Sequence, residues 1–189
     1  MTTANKLTLI RVIIIPIMIA LLYIQPLQTD SGFLDLSWSG LFFGILFVIA
    51  GFTDLLDGYV ARKYNQVTTF GKFLDPIADK ILVITVLLYL LTIMPGRVTI
   101  WAVMLIIVRE FLVTGVRLLA VERGVVIAAS PYGKLKTAAT MFALFVLLFN
   151  DFGLTPWIGN IAFYIAVILT VLSGIDYLVK NRQMILVSI

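Results

Sequence analysis

Six long apolar segments alternate along the chain with short stretches of charged and turn-forming residues. A helix of about 20 residues crosses the hydrocarbon core of a bilayer, and the segments are of about this length. The predicted helices span residues 7–26, 37–59, 73–95, 98–121, 135–150 and 156–179. The breaks between them carry turn residues, as in Pro95-Gly96 and Ser130-Pro131. The pattern therefore predicts an all-α integral membrane protein, a six-transmembrane-helix bundle that forms a single domain over residues 1–189.

The composition excludes a soluble domain. Apolar residues fill 61% of the 189 positions and charged residues only 13%, whereas a soluble domain is about 45–50% apolar. So few polar residues cannot cover the water-exposed surface of a chain this size. The chain also contains no histidine and no cysteine. Disulfides and thiolate nucleophiles are excluded, and acid–base chemistry must use carboxylates, lysine, tyrosine or a metal-bound group.

The distribution of basic residues predicts the orientation of the helices. Alternate connections and both termini carry most of them: Lys6, Arg11, Arg62, Lys63, Lys72, Arg123, Lys134, Lys136, Lys180 and Arg182. The only basic residue in the first, third and fifth connections is Arg97. By the positive-inside rule, both termini lie in the cytoplasm and the chain crosses the membrane six times. The net charge of +4 then reflects orientation, and we expect no nucleic acid partner.

Charged residues within the helices lie in the predicted cytoplasmic halves. The second helix ends with Asp54 and Asp57, and the fourth carries Arg109 and Glu110 after an uncharged first half. A charge inside the bilayer costs at least a few kcal/mol unless it faces the bundle interior or a wet cavity. We therefore predict one polar cavity, open to the cytoplasm. The alternative is a set of separate ion pairs, such as Arg109 with Glu110, that fix helix registry.

Four aspartates form the most informative cluster. Asp54 and Asp57 share one helix face, and Asp75 and Asp79 share a face of the next helix. Pro76 predicts that this helix begins or kinks near Phe73. Four neighbouring carboxylates need a counterion, and divalent cations with oxygen ligands supply one. Mg²⁺ or Mn²⁺ suits such a site. One or two ions would neutralise the carboxylates, and we expect two, as in two-metal phosphoryl transfer.

Small residues beside the acids predict room for a ligand. Gly58 and Ala61 would let a ligand approach the backbone. Arg62 follows as a fixed hydrogen-bond donor to phosphate. Close helix packing is the alternative for Gly58. Gly40 and Gly44 form a GxxxG pair without acidic neighbours, and there packing is the preferred interpretation.

The motif resembles that of a known family. Asp54-x2-Asp57-Gly58-x2-Ala61-Arg62-x8-Gly71-x3-Asp75-x3-Asp79 is similar, in every fixed position, to the signature of the CDP-alcohol phosphatidyltransferases. Three further stretches, 5–11, 109–117 and 133–137, resemble the phosphatidylglycerophosphate synthase branch of that family. Nearly the whole chain is covered by the resemblance.

The resemblance implies a membrane enzyme, a homodimer in the inner (plasma) membrane of a bacterium, with its active site facing the cytoplasm. It would join CDP-diacylglycerol to glycerol 3-phosphate, giving phosphatidylglycerol phosphate and CMP. The implied metal ligands are Asp54, Asp57, Asp75 and Asp79, with Asp79 also the proton acceptor. The implied CDP-diacylglycerol contacts are Gly58, Ala61, Arg62, Thr68, Gly71, Asn5 and Thr8.

The acceptor substrate is inferred from a different set of residues. A glycerol 3-phosphate dianion needs further cations, and the candidates are Arg109, Arg117, Lys134 and Lys136. Cytoplasmic connections are basic in any case, so the two lysines have an alternative explanation. Phosphatidylglycerol, inositol phosphate and serine remain alternative acceptors. A divalent-cation transporter is the alternative from another functional class, although transporter sites usually lie near the bilayer midplane.

Overall fold

The structure is a computed structural model that describes the backbone of residues 3–63, 69–122 and 130–182. Side chains are described for residues 7–54, 56, 74–121 and 130–182. Six helices account for most of this part of the chain: α1 Thr3–Leu21, α2 Trp38–Lys63, α3 Thr69–Ile93, α4 Ile100–Glu122, α5 Pro131–Leu148 and α6 Trp157–Lys180. The all-α prediction is confirmed for the described residues, apart from one short β-hairpin.

Several helix ends differ from the predicted ones. α1 ends at Leu21, because a 3₁₀ helix with proline in its first turn follows over Gln25–Gln28. α5 begins at Pro131, and proline is favoured at the first helical position because its missing N–H has no intrahelical partner there. α3 begins at Thr69 and contains Pro76 in its interior, where the ring costs one backbone hydrogen bond without ending the helix.

The connection between α1 and α2 contains the hairpin. Strand β1 (Asp30–Phe33) pairs antiparallel with β2 (Leu36–Ser37), and Phe33 lies opposite Leu36. The turn residues Leu34 and Asp35 have φ of 55° and 53°, a left-handed conformation that matches the twist of a tight hairpin. The sequence predicts a break here but no strand, because the turn lacks the Asn-Gly or Asp-Gly signal.

The first of two compact units comprises Met1–Tyr89 and Phe145–Thr155. Within it α1 packs against α2. Gly40 and Gly44 both lie at close contacts, since an added Cβ would be 2.9 Å from the Tyr89 hydroxyl at Gly40 and 3.2 Å from the Phe149 ring at Gly44. The packing interpretation of these two glycines is confirmed.

The second unit comprises Leu90–Leu144 and Pro156–Ile189. Here α4 packs against α6, whose buried face carries Phe163, Ala166, Val167, Thr170, Ser173 and Tyr177. Residues of α3 and α5 belong to both units, and the assignment of the whole chain to a single domain stays a prediction.

The exposed side of α6 is as apolar as its buried side. Its exposed residues recur at helical spacing: Ile158, Ile161, Ile165, Ile168, Leu172, Ile175 and Val179. A helix that is apolar all round is typical of a membrane span. In the described part of the chain, Leu74–Ile93 and Trp157–Lys180 are long and apolar enough to cross a bilayer, while Leu7–Leu21 and Trp38–Asp54 are shorter apolar helices. These features indicate a membrane protein.

Candidate active site

Two polar side chains on one face of α1 contact acidic residues of α3. Thr8 and Arg11 lie one turn apart, and both are buried, Arg11 completely. Thr8 Oγ1 donates a hydrogen bond of 2.5 Å to Asp75 Oδ1. Arg11 Nη1 donates one of 2.7 Å to Asp79 Oδ1, one turn further along α3. The spacing of polar residues on α1 therefore matches the spacing of acids on α3.

Arg11 also connects α1 to α2. Its Nη2 lies 3.2 Å from Asp54 Oδ1, while Nη1 holds Asp79. A guanidinium is planar and has five N–H donors, so it can serve two carboxylates at once. Both carboxylates stay accessible, because the side chains of Asp54 and Asp79 are each 46% exposed. Asp54, Asp75 and Asp79 are thus gathered against one face of α1.

The other predicted members of this site fall outside the described side chains. Asp57, Gly58, Ala61 and Arg62 belong to α2, Gly71 to α3 and Asn5 to α1, and in each case the side chain lies outside the described residues, as does the whole of Thr68. Their assignments stay predictions.

The donor chemistry of the acidic site fits a hard divalent cation. Its described anionic groups are carboxylates, and the chain has neither histidine nor cysteine to recruit zinc or copper. Among the side chains that the structure describes, no three acidic residues form one metal-binding group. A four-carboxylate centre would also need Asp57, so the metal ligand set stays a prediction.

Arg11 is the residue of this site whose contacts sequence reasoning does not predict. The sequence places it among the basic residues that orient the chain and at the end of the stretch 5–11 that resembles the family, but assigns it no role in the site. The available signal was its place in an apolar helix, three residues after Thr8. A buried cation needs an anionic partner, and the aspartates of α2 and α3 are the abundant anions of the sequence.

A second polar cluster, in the second unit, joins α4, α5 and α6. Glu110 Oε1 lies 3.1 Å from Arg109 Nη1 and accepts a further hydrogen bond from Lys136 Nζ. Arg109 Nη2 donates to Ser173 Oγ over 3.0 Å. The side chains of Arg109 and Glu110 are each 14% exposed, and that of Lys136 is 7% exposed. We call Arg109, Glu110, Lys136 and Ser173 the Glu110 cluster.

Two of the four cations predicted for the acceptor phosphate are therefore brought together, and two have other surroundings. The Arg117 guanidinium lies over the ring of buried Tyr177, with its Cζ 5.7 Å from the ring centroid. Lys134 lies in the first turn of α5 and is exposed. The ion pair of Arg109 with Glu110, which exemplifies the alternative to one polar cavity, is present. Lys136 extends it into a three-residue cluster, so it is not a separate pair.

Comparison with known proteins adds independent information. The sequence profile of the CDP-alcohol phosphatidyltransferases matches residues 1–172. A CDP-diacylglycerol–glycerol-3-phosphate 3-phosphatidyltransferase of Bacillus subtilis is 42% identical over 185 residues, which cover 95% of this chain and 94% of that protein. Proteins of the same name from Rickettsia typhi and Haemophilus influenzae are 40% and 39% identical over 178 and 177 residues. These alignments cover 92% and 91% of this chain and 93% and 89% of the relatives.

Proposed function

The chain belongs to the CDP-alcohol phosphatidyltransferase family, and from that premise we propose that it transfers the phosphatidyl group of CDP-diacylglycerol to sn-glycerol 3-phosphate. The products are phosphatidylglycerol phosphate and CMP. The names and the coverage of the relatives support this choice of substrates. The observation that carries the proposal is the gathering of Asp54, Asp75 and Asp79 by Thr8 and Arg11.

The acidic site supplies the base and the metal ligands of the reaction. A hydroxyl oxygen of the acceptor attacks the phosphorus that bears the lipid, and its proton passes to Asp79. The bond from this phosphorus to the bridging oxygen of the diphosphate breaks, and CMP leaves with that electron pair. Two Mg²⁺ or Mn²⁺ ions, held by Asp54, Asp57, Asp75 and Asp79, would neutralise the diphosphate and the departing CMP.

The residues around the acids orient them for this chemistry. Arg11 holds Asp79 by one nitrogen and Asp54 by the other, so the base has one direction when the acceptor arrives. Thr8 fixes Asp75 in the same way. The proposed CDP-diacylglycerol contacts are completed by Gly58, Ala61, Arg62, Thr68, Gly71 and Asn5. Arg62 donates hydrogen bonds to the phosphates.

The acceptor phosphate is proposed to bind to Arg109 and Lys136, with Arg117 and Lys134 as further contributors. Glycerol 3-phosphate is a dianion, and arginine binds phosphate oxygens in pairs. The sharing of one carboxylate by Arg109 and Lys136 supports this assignment, because it holds two largely buried cations against the same side chain.

The membrane arrangement is part of the same proposal. Six helices cross the inner membrane of a bacterium, both termini lie in the cytoplasm, and the active-site cavity opens there. Two chains form a homodimer. The apolar exposed faces and the two long apolar helices support a bilayer location, and the charges near the cytoplasmic ends support the orientation.

The test is release of CMP by the purified protein. We expect CMP when CDP-diacylglycerol, Mg²⁺ and glycerol 3-phosphate are present together, and none when either substrate is left out. Asp79→Asn should abolish release, whereas the control Asp176→Asn, in an i, i+4 pair with Lys180 near the end of α6, should leave it unchanged. Release with inositol phosphate, serine or phosphatidylglycerol but not with glycerol 3-phosphate would contradict the proposed acceptor. Metal uptake into vesicles without CMP release would favour a transporter.

A further inference from the structure

The Glu110 cluster has more hydrogen-bond donors than its described contacts use. A guanidinium carries five N–H donors and an ammonium three. Arg109 Nη1 donates one hydrogen bond to Glu110, and Arg109 Nη2 donates one to Ser173. Lys136 Nζ also donates one to Glu110. Arg109 Nε is buried without a hydrogen-bond partner among the described residues. Unused donors on buried cations are uncommon and need an explanation.

The charges of the cluster do not balance either. Among the described side chains, two cations face one carboxylate, so a positive charge remains in a site that is largely closed to solvent. A further anion with several oxygen atoms would neutralise this charge and accept hydrogen bonds from both cations. A phosphate group has this chemistry.

Two residues of α6 determine where the Arg109 side chain lies. Ser173 Oγ accepts from Arg109 Nη2 and donates to the Thr170 carbonyl oxygen over 3.0 Å, so its own direction is fixed. At Gly174 an added Cβ would lie 3.0 Å from Arg109 Cγ. Contacts this short require one of the two groups to move, so the glycine leaves room for the arginine stem.

We propose that Glu110 is a positioning residue for the acceptor phosphate. It holds Arg109 and Lys136 side by side across α4 and α5 without touching the acceptor, and Gly174 lets Arg109 reach this position. Without the carboxylate, two neighbouring cations in a low-dielectric site repel each other and separate. The inference rests on the proposed function, because it takes the phosphate of glycerol 3-phosphate as the anion.

The experiment separates position from charge. Glu110→Gln removes the shared carboxylate, whereas Gly174→Ala displaces Arg109 and leaves every charge in place. The KM for each substrate is measured by CMP release with purified protein. A displacement of 1 Å can cost about a hundredfold in a positioned reaction. We therefore expect the KM for glycerol 3-phosphate to rise about tenfold in Glu110→Gln and about threefold in Gly174→Ala. The KM for CDP-diacylglycerol should stay within about twofold of wild type.

Gly115→Ala on α4 is the matched control, because an added Cβ there meets no atom within 4 Å, and both KM values should be unchanged. If the KM for glycerol 3-phosphate is unchanged or lower in both test variants, the proposal is wrong. A lower value in Glu110→Gln alone would mean that Glu110 competes with phosphate for the cations, which also overturns it. A lower melting temperature with both KM values unchanged would assign Glu110 to helix packing only.

Failure of the proposed function gives a different result. A wild-type protein that releases no CMP overturns the proposed reaction, and calorimetric titration with glycerol 3-phosphate alone then tests the anion site. About tenfold weaker binding to Glu110→Gln than to wild type would support the positioning role, and equal binding would overturn it. If Glu110→Gln does not fold, Gly174→Ala against Gly115→Ala decides the question.

Discussion

Replacement of Arg11 by methionine tests whether one buried guanidinium holds the acids of α2 and α3 against α1. Methionine keeps an unbranched, flexible side chain. It removes the 2.7 Å hydrogen bond to Asp79 and the 3.2 Å ion pair with Asp54. The two aspartates then face each other without the cation that lies between them.

The expected loss follows from the burial of the partners. A hydrogen bond to a charged group contributes about 1.5–3 kcal/mol to stability. Among the described residues, Arg11 contacts two carboxylates, those of Asp79 and Asp54. The carboxylates are each 46% exposed, so water replaces part of what the guanidinium provides. Removing Arg11 also removes the cost of burying its charge. We expect the free energy of unfolding to fall by about 2–3 kcal/mol, which lowers Tm by roughly 5–10 °C in a chain of this length.

The assay is a thermal melt of the purified protein in detergent micelles, in buffer without divalent cations, followed by tryptophan fluorescence. Arg11→Lys should fall between wild type and Arg11→Met, because an ammonium lacks the planar fork that reaches two carboxylates. The control Lys180→Met removes an ion pair in which the lysine is 60% exposed and should cost at most about 0.5 kcal/mol. A Tm of Arg11→Met equal to that of wild type would refute the reasoning.

Two further predictions concern the same site. Thr8→Val keeps the side-chain volume but removes the hydroxyl that donates to Asp75. We therefore expect a loss of about 1 kcal/mol in stability and slower CMP release, with the KM for glycerol 3-phosphate unchanged. A rise in that KM as large as the fall in the rate of CMP release would contradict a role confined to Asp75. Removal of divalent cations with a chelator should abolish CMP release, and Mg²⁺ or Mn²⁺ should restore it where Zn²⁺ does not, because the ligands are hard oxygen donors; full activity in chelator would contradict the metal prediction.

The helices were largely predictable from hydropathy. Each predicted segment overlaps an observed helix, since a backbone in apolar surroundings must satisfy its own hydrogen bonds. The ends were less predictable. The apolar run of α1 continues past Leu21 into a 3₁₀ helix, and the hairpin turn uses Leu34 and Asp35 where a sequence pattern would look for glycine or asparagine.

The candidate site was predictable in its acids and not in their partners. The motif identified Asp54, Asp75 and Asp79. The resemblance to the family identified Thr8. It did not identify Arg11, which lies 68 residues from Asp79 along the chain, nor Glu110 as the shared partner of Arg109 and Lys136. A basic residue near the cytoplasmic end of a helix has an orienting role in any membrane protein. Because that role already explains Arg11 and Lys136, their contacts with Asp79 and Glu110 were not predicted.

Hydropathy and spacing specify the properties of this chain that are local. They predict the helices, the face of each helix that carries acids, and the type of ion those acids would bind, because 3.6 residues per turn decide which side chains lie together. Which cation neutralises which acid depends on how each helix is rotated and how far it is shifted along its neighbour. That relation arises from packing between residues distant in sequence, as between Arg11 and Asp79 or between Lys136 and Glu110, and only the folded chain establishes it.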